Sequence, residues 1–301
     1  MLRYSISFLL LFSVCFAQTP DSSKTDICKK KQIITLSTTG ALYIGGMAGL
    51  YQLWYAGYPQ TSFQFFNDND EWLQMDKVGH TYSNYHITEF GYKAAKFSCF
   101  NETQSIWLGG GFGLLFLLTI EIFDGFSAAW GASWGDMIAN TGGYLLFATQ
   151  QQFWQEQKFR MKFSYSPSKY AQYRPELMGN SFATSLLKDY NAQTYWLSFS
   201  PASFVKQEDT KWPLWLCLSF GYSGDGMTGG SFNPQEIDGV ALPHFDRQRQ
   251  FYLSLDIDFS KINTNSKALK TVFYGLNLLK FPFPAISYDK GSGVKGSFVH
   301  F

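Results

Sequence analysis

From Ile33 to Phe66 the chain carries no charged side chain, and glycines at 40, 45, 46 and 49 stand among Leu, Ile, Ala and Tyr. An uncharged stretch of that length has few places to go. A membrane-spanning helix needs about 20 apolar residues, and small residues on such a helix let a neighbour approach closely. The expectation is a membrane helix over Ile33–Tyr55. The segment that follows, with Trp54, Tyr55, Tyr58, Phe63, Phe65 and Phe66, resembles the aromatic belt of a membrane interface. Composition agrees: 19% of residues are aromatic and only 16% charged, whereas soluble domains carry about 25% charge.

The N-terminus sets a compartment. Arg3 precedes an apolar run from Ile6 to Phe16, ending at Ala17 with Gln18 and Thr19 after it. That is the order of a secretory signal peptide over residues 1–17, too short to span a bilayer, with the mature chain starting near Gln18. Cys15 lies where a lipidated cysteine would, and the bulky Val14 before it fits that processing poorly, so lipidation is the alternative to plain signal cleavage rather than the favoured expectation. Removing the signal leaves Cys28, Cys99 and Cys217, with no CxxC pair. One disulfide is allowed in an oxidising periplasm, and the spacing does not say which.

A net charge of +1 argues against a nucleic-acid partner. The one basic run, Lys29–Lys31, reads as a solvated lead-in or as a contact with anionic head groups. Signal cleavage would leave these lysines on the periplasmic side of the first helix, the wrong side for an inner-membrane protein. The expected location is therefore the outer membrane or its periplasmic face, with the inner membrane as alternative if the signal stays attached. Membrane lipid and an envelope protein are the expected partners.

Charge divides the chain, with 19 charged residues in 1–155 and 28 in 156–301. Residues 18–157 read as a membrane-associated helical domain and 158–301 as a strand-rich region. After the first helix, helices are expected over Asp76–Phe97 and Ser105–Phe123. A fourth should start at Ser133 and Asp136, spaced as a capping box, and run to about Gln157. Beyond it the hydrophobic period changes from 3.6 to 2. Phe159, Met161, Phe163 and Tyr165 alternate with polar residues, as do Phe251, Leu253, Leu255, Ile257 and Phe259. Further strands are expected over Thr194–Phe199, Leu214–Phe220 and Ser297–Phe301. The fold class is α+β: an N-terminal membrane-associated bundle of about four helices followed by a small antiparallel sheet. Its apolar faces should be buried, and about five strands are too few for a closed membrane barrel.

Chemistry-bearing residues cluster on the helices. Asp76 and His80 are i, i+4, Glu121 and Asp124 are i, i+3, and Asp136 and Asn140 are i, i+4, so each pair faces one way. Asp76, His80, Glu121, Asp124 and Asp136 would suit a divalent metal, the one cofactor these residue types call for, or would supply an acid and a base. Ser127 and Ser133 are candidate nucleophiles, although no G-x-S-x-G, H-E-x-x-H or Walker loop accompanies them. The competing expectation is a satisfied polar network that locks the helices, with Asp136 spent on capping and Lys77 paired with Glu121 or Asp124.

The strings D-K-x-G-H at Asp76–His80, E-x-x-D-G-x-S at Glu121–Ser127 and S-x-G-D-x-x-A-N-x-x-G at Ser133–Gly143 resemble a YfiM-like family of uncharacterised bacterial envelope proteins. More distantly they are similar to VanZ-like membrane proteins. The resemblance covers about residues 35–155, and the second half, including Arg174-Pro175, Asp189-Tyr190-Asn191 and Gln193-Thr194-Tyr195-Trp196, resembles the longer, Bacteroidetes-type form. It implies an envelope location and importance of the motif positions, and it carries no activity.

Three readings follow. The leading one is a non-enzymatic, membrane-associated envelope component. The alternative is a membrane-proximal, metal-assisted hydrolase of a lipid or glycan-lipid head group, in which the cluster converges around an accessible cavity. The third is a binder of a hydrophobic ligand, marked by an apolar pocket lined by Trp and Phe.

Overall fold

The computed structural model describes residues 22–237 and 239–300. The signal peptide, Cys15 and Phe301 lie outside the described residues. Helix α1 (Ser22–Leu50) continues through one π-helical turn at Tyr51–Tyr55. Lys29–Lys31 therefore belong to the helix rather than leading into it. The helix exposes Ile33, Ile34, Leu36, Leu42 and Ile44 and buries only Met47 among its large apolar residues. It is fastened to its neighbours by the Cys28–Cys99 disulfide and by Tyr43, whose hydroxyl lies 2.6 Å from that of Thr119. Cys217 is free and buried.

Helices α2 (Met75–Phe97), α3 (Glu102–Gly125) and α4 (Trp134–Trp154) follow, with α2 packed against the other two. Glycines make these approaches possible. A Cβ at Gly143 would lie 2.2 Å from the Thr81 carbonyl oxygen, and one at Gly109 would lie 2.5 Å from the Tyr92 nitrogen. Two segments, Thr25–Tyr55 and Glu102–Gly125, are long and apolar enough to cross a membrane.

The second half holds a six-stranded antiparallel sheet in the order β1-β2-β3-β6-β7-β8. Its strands are β1 (Phe159–Tyr165), β2 (Gln193–Phe199), β3 (Leu216–Asp225), β6 (Gln248–Ile257), β7 (Phe283–Asp289) and β8 (Gly293–His300). The short strands β4 (Glu236–Ile237) and β5 (Val240–Ala241) pair separately. Helices are not confined to the N-terminal half: α5 (Pro175–Met178), α6 (Phe182–Lys188) and α7 (Lys267–Leu276) lie among the strands. The sheet also has one strand more than expected. Its β7 opens on Phe-Pro-Ala, and the proline obscures the alternation.

The larger departure is which face is buried. In β6, Tyr252, Ser254 and Asp256 are buried while Phe251 and Leu253 are exposed, the reverse of the expected polarity. The sheet is curled around its polar face. The His300 ring of β8 lies 5.7 Å from that of Trp196 in β2 and 4.4 Å from that of Tyr252 in β6. In a flat sheet β8 and β2 would stand four strand spacings apart, roughly 19 Å. Residues 278–280 also run beside the free edge of β1: Phe163 N–H donates to Leu278 O at 3.0 Å and Lys280 N–H to Phe163 O at 2.8 Å. Inside the curl, Lys162 pairs with Asp256 at 2.9 Å with both side chains fully buried, and Ser198 donates to Asp256 at 2.7 Å. Outside it, α2 covers β1 and β2, setting Tyr82 and Tyr85 against Phe163, Tyr195, Met161 and Leu197.

Candidate functional site

The site begins at a turn that the strand half holds in place. Trp72, Leu73 and Gln74 have φ of 47°, 53° and 63°, three consecutive non-glycine residues in the left-handed region. Such a run is costly unless its surroundings enforce it. Trp72 N–H donates to Gly230 O at 2.8 Å, and the Tyr222 hydroxyl donates to Leu73 O. This turn delivers Asp76 and Lys77 to the start of α2, with His80 one turn further on.

His80 is the hub. Its Nδ1 lies 2.9 Å from Asn140 Oδ1, and since an amide oxygen only accepts, Nδ1 is assigned the proton. Nε2 is thereby turned toward Asp76 Oδ1 at 3.7 Å and Asp136 Oδ1 at 4.0 Å, and Glu121 Oε1 lies 3.8 Å from Nδ1. Lys77 reaches Asp68 at 2.7 Å, Asp136 at 2.8 Å and Asp76 at 3.3 Å. Tyr190, from the α6–β2 connection, donates its hydroxyl to Asp76 Oδ1 at 2.5 Å. Glu121 accepts the Ser133 N–H through Oε2 at 3.0 Å, while its buried Oε1 has no hydrogen-bond partner.

The electrostatics follow from crowding. Among the described residues, Lys77 and His80 are the ion-pair partners of Asp68, Asp76, Glu121 and Asp136, with Asp124 beside them, while Lys188 at the cavity wall is spent on the Leu53 carbonyl, so negative charge is in excess. Burial opposes charge on His80, but Asp76, Asp136 and Glu121 outweigh it and lift the imidazole to about 9. Burial, and then the Asp76 carboxylate, push Asp136 up to about 8. Burial also opposes charge on Asp76, yet His80 and Lys77 hold it below the ordinary carboxylate range. Without a cation, protons offset the surplus.

Asp76, His80 and Asp136 each offer a ligand atom within 4.8 Å of the others. That fits a divalent ion: mixed imidazole and carboxylate donors, with the second imidazole nitrogen oriented by an amide oxygen. Glu121 and Asp124 were expected in this set and stand outside it. Glu121 secures the α4 N-terminus through Ser133, and Asp124 accepts the Tyr55 hydroxyl at 2.9 Å. The serines do not join His80. Ser133 donates to Asp68 at 2.5 Å, and the Ser127 hydroxyl accepts Ala129 N–H at 3.3 Å within its own loop.

The cluster forms the floor of a cavity of about 490 Å³. Asp76, His80, Asp124, Asp136 and Tyr190 supply the polar end, and Leu50, Trp54, Phe116, Leu117 and Ile120 an apolar wall continuous with α1 and α3. Volume and lining are those of a small-molecule site.

Residues 64–150, which carry α2, α3, most of α4 and every member of the cluster except Tyr190, match the model of a family described as predicted periplasmic lipoprotein (DUF2279). The match supports a periplasmic or envelope location. No curated protein and no solved structure matches the chain.

Lys77 is the clearest correction, since it pairs with Asp68, Asp76 and Asp136 rather than with Glu121 or Asp124. Asp136 likewise gives only its backbone N–H to the Ser133 cap, at 3.2 Å, which leaves its carboxylate to the cluster. Tyr190 carries no signal in the sequence that would join it to residues more than a hundred positions away. Asp68 does: Asp68 and Asp70 are the first charges after the uncharged stretch.

Proposed function

We propose that the protein is a membrane-proximal, metal-assisted hydrolase of the cell envelope, acting on the head group of a lipid or lipid-linked glycan. The observation that carries this reading is His80 Nε2 facing two carboxylates at the floor of a cavity whose wall is apolar. An amphiphile would lie with its chain along Trp54, Phe116 and Ile120 and its head group over Asp76, His80 and Asp136. A divalent ion there would neutralise surplus charge and activate water. With Asp76, His80 and Asp136 holding the ion, water would add to the head-group phosphorus, the P–O bond to the leaving alcohol would break, and that oxygen would depart with a proton from the water. Helices α1 and α3 would place the cavity mouth at the bilayer.

The test is head-group release from vesicles of defined bacterial lipids and glycolipids by the full chain in detergent, with Asp76→Asn and His80→Gln beside it. Release that needs a divalent ion and disappears in both folded variants supports the reading. No release from any lipid, with or without metal, contradicts it. A second reading has one observation in its favour. Lys77 already holds three carboxylates, as in a polar lock between helices of a non-enzymatic envelope component. That lock predicts variants that unfold.

A further inference from the structure

The sheet presents an apolar face to the outside. Phe220 of β3, Phe251 and Leu253 of β6, Ile286 and Tyr288 of β7, and Phe298 of β8 are all exposed, Phe298 at 92%. Between Leu216 and Tyr222, Phe251 and Ile257, Pro284 and Tyr288, and Val294 and Phe298, the residues on this face include no charge. Charged side chains lie on the opposite, inward face, where Lys162 and Asp256 are sealed among Ser198, Ser219 and Ser254.

A soluble sheet hides its apolar face and wets its polar one, and this sheet does the opposite. Alternation with polar side chains inward and apolar side chains outward marks strands whose surroundings are hydrocarbon. Strand length fits in the middle of the sheet, while β7 and β8, at seven and eight residues, are long enough to lie against hydrocarbon without crossing it. β3 and β6 are ten residues each, and strands that cross a bilayer at a tilt need about 9–11. The face continues past β3 onto β2 and β1, where α2 covers it, so the protein has supplied cover for one part and left the rest open. Helix α1, with its exposed Ile33, Ile34 and Leu36, needs the same medium.

We propose that the outer face of β3, β6, β7 and β8 is a lipid-contact surface, held against bilayer hydrocarbon in the assembled envelope. The strand half is then a second membrane-embedded element, a curled sheet with a polar interior and an apolar exterior. This assignment is independent of the chemistry of the His80 cluster.

Spin labels test it. Phe220→Cys, Leu253→Cys and Ile286→Cys are made singly in the full mature chain, labelled, and reconstituted into vesicles of phosphatidylethanolamine and phosphatidylglycerol. Glu208→Cys, in the β2–β3 connection, serves as an aqueous reference; Cys217 is buried, and the unsubstituted chain reports background labelling. All three face positions sit on the surface, so the substitutions leave the fold intact. At 220, 253 and 286 collisions with oxygen should exceed those with a water-soluble nickel chelate several-fold, with the order reversed at 208. Greater access to nickel than to oxygen at the three positions overturns the proposal. Exclusion of both reagents, together with a dimer mass in detergent, also overturns it and assigns the face to a second copy of the chain.

Discussion

Two charge clusters meet α2, one where it lies against β1 and continues past that strand into the curl, the other where it faces α4, and their contrast separates architecture from chemistry. Toward the sheet, Arg160 meets Glu89 at 3.6 Å and Asp258 at 3.1 Å, Lys93 meets Glu89 at 2.8 Å, and Lys162 meets Asp256 at 2.9 Å. Each of these anions has a cation beside it, with the buried Lys280 also near Asp256 and His86 near Glu89, and none of these side chains lines the cavity at the His80 cluster. Toward α4, five carboxylates face Lys77 and His80, and the surplus opens onto that cavity. Burying charge is tolerable when each ion has its partner and costs several kcal/mol when it does not. A balanced cluster therefore explains itself as structure. An unbalanced one at a cavity floor calls for a missing cation.

If that distinction holds, the balanced cluster should be the more sensitive in stability. The largest effect is expected from Lys162→Met, which leaves Asp256 buried without its partner and should cost about 3–5 kcal/mol in denaturant unfolding. A loss within about 0.5 kcal/mol would mean that the curled interior is wetter than its burial implies. Next comes Gly143→Ala. Its Cβ would meet the Thr81 carbonyl at 2.2 Å, forcing α4 from α2 for about 1–3 kcal/mol, and the His80–Asn140 contact should be lost with it.

Glu89 gives the comparison a pH dependence. Burial would raise its carboxyl, but His86, Arg160 and Lys93 together hold it well below the usual range. Its folded-state value lies below the unfolded value of about 4.3, so its contribution is intact at neutral pH and is lost as pH falls below about 4. Glu89→Gln should cost about 2–3 kcal/mol at pH 7 and flatten the acid limb of a stability profile. An unchanged acid limb would remove Glu89 from the account.

The smallest effect is expected where chemistry is proposed. Asp136→Asn removes one surplus charge and should change stability by less than about 1 kcal/mol, seen as a nearly unmoved denaturation midpoint. Unfolding of this variant would favour the polar lock.

The helices were legible because their signals are local. Asn101 and Ser133 cap α3 and α4, and the expected helices over Asp76–Phe97 and Ser105–Phe123 lie close to α2 and α3. The i, i+4 pairing of Asp76 with His80 and of Asp136 with Asn140 likewise brought the right side chains to one centre. Long-range facts were not legible. Alternation in β6 shows that Phe251 and Leu253 share a face, but which face is buried depends on a curl set by β8 and residues 278–280. Tyr190 reaches Asp76, and Lys77 reaches Asp68, only because the left-handed turn at Trp72–Gln74 is pinned by Gly230 and Tyr222.

The central claim, that the unbalanced cluster holds a divalent cation, is tested most directly by elemental mass spectrometry on the full chain purified in detergent and dialysed against a mixture of divalent metals. The account predicts about one ion per chain in the wild type and none in folded Asp76→Asn and His80→Gln variants. A wild type that stays metal-free while folded would contradict it.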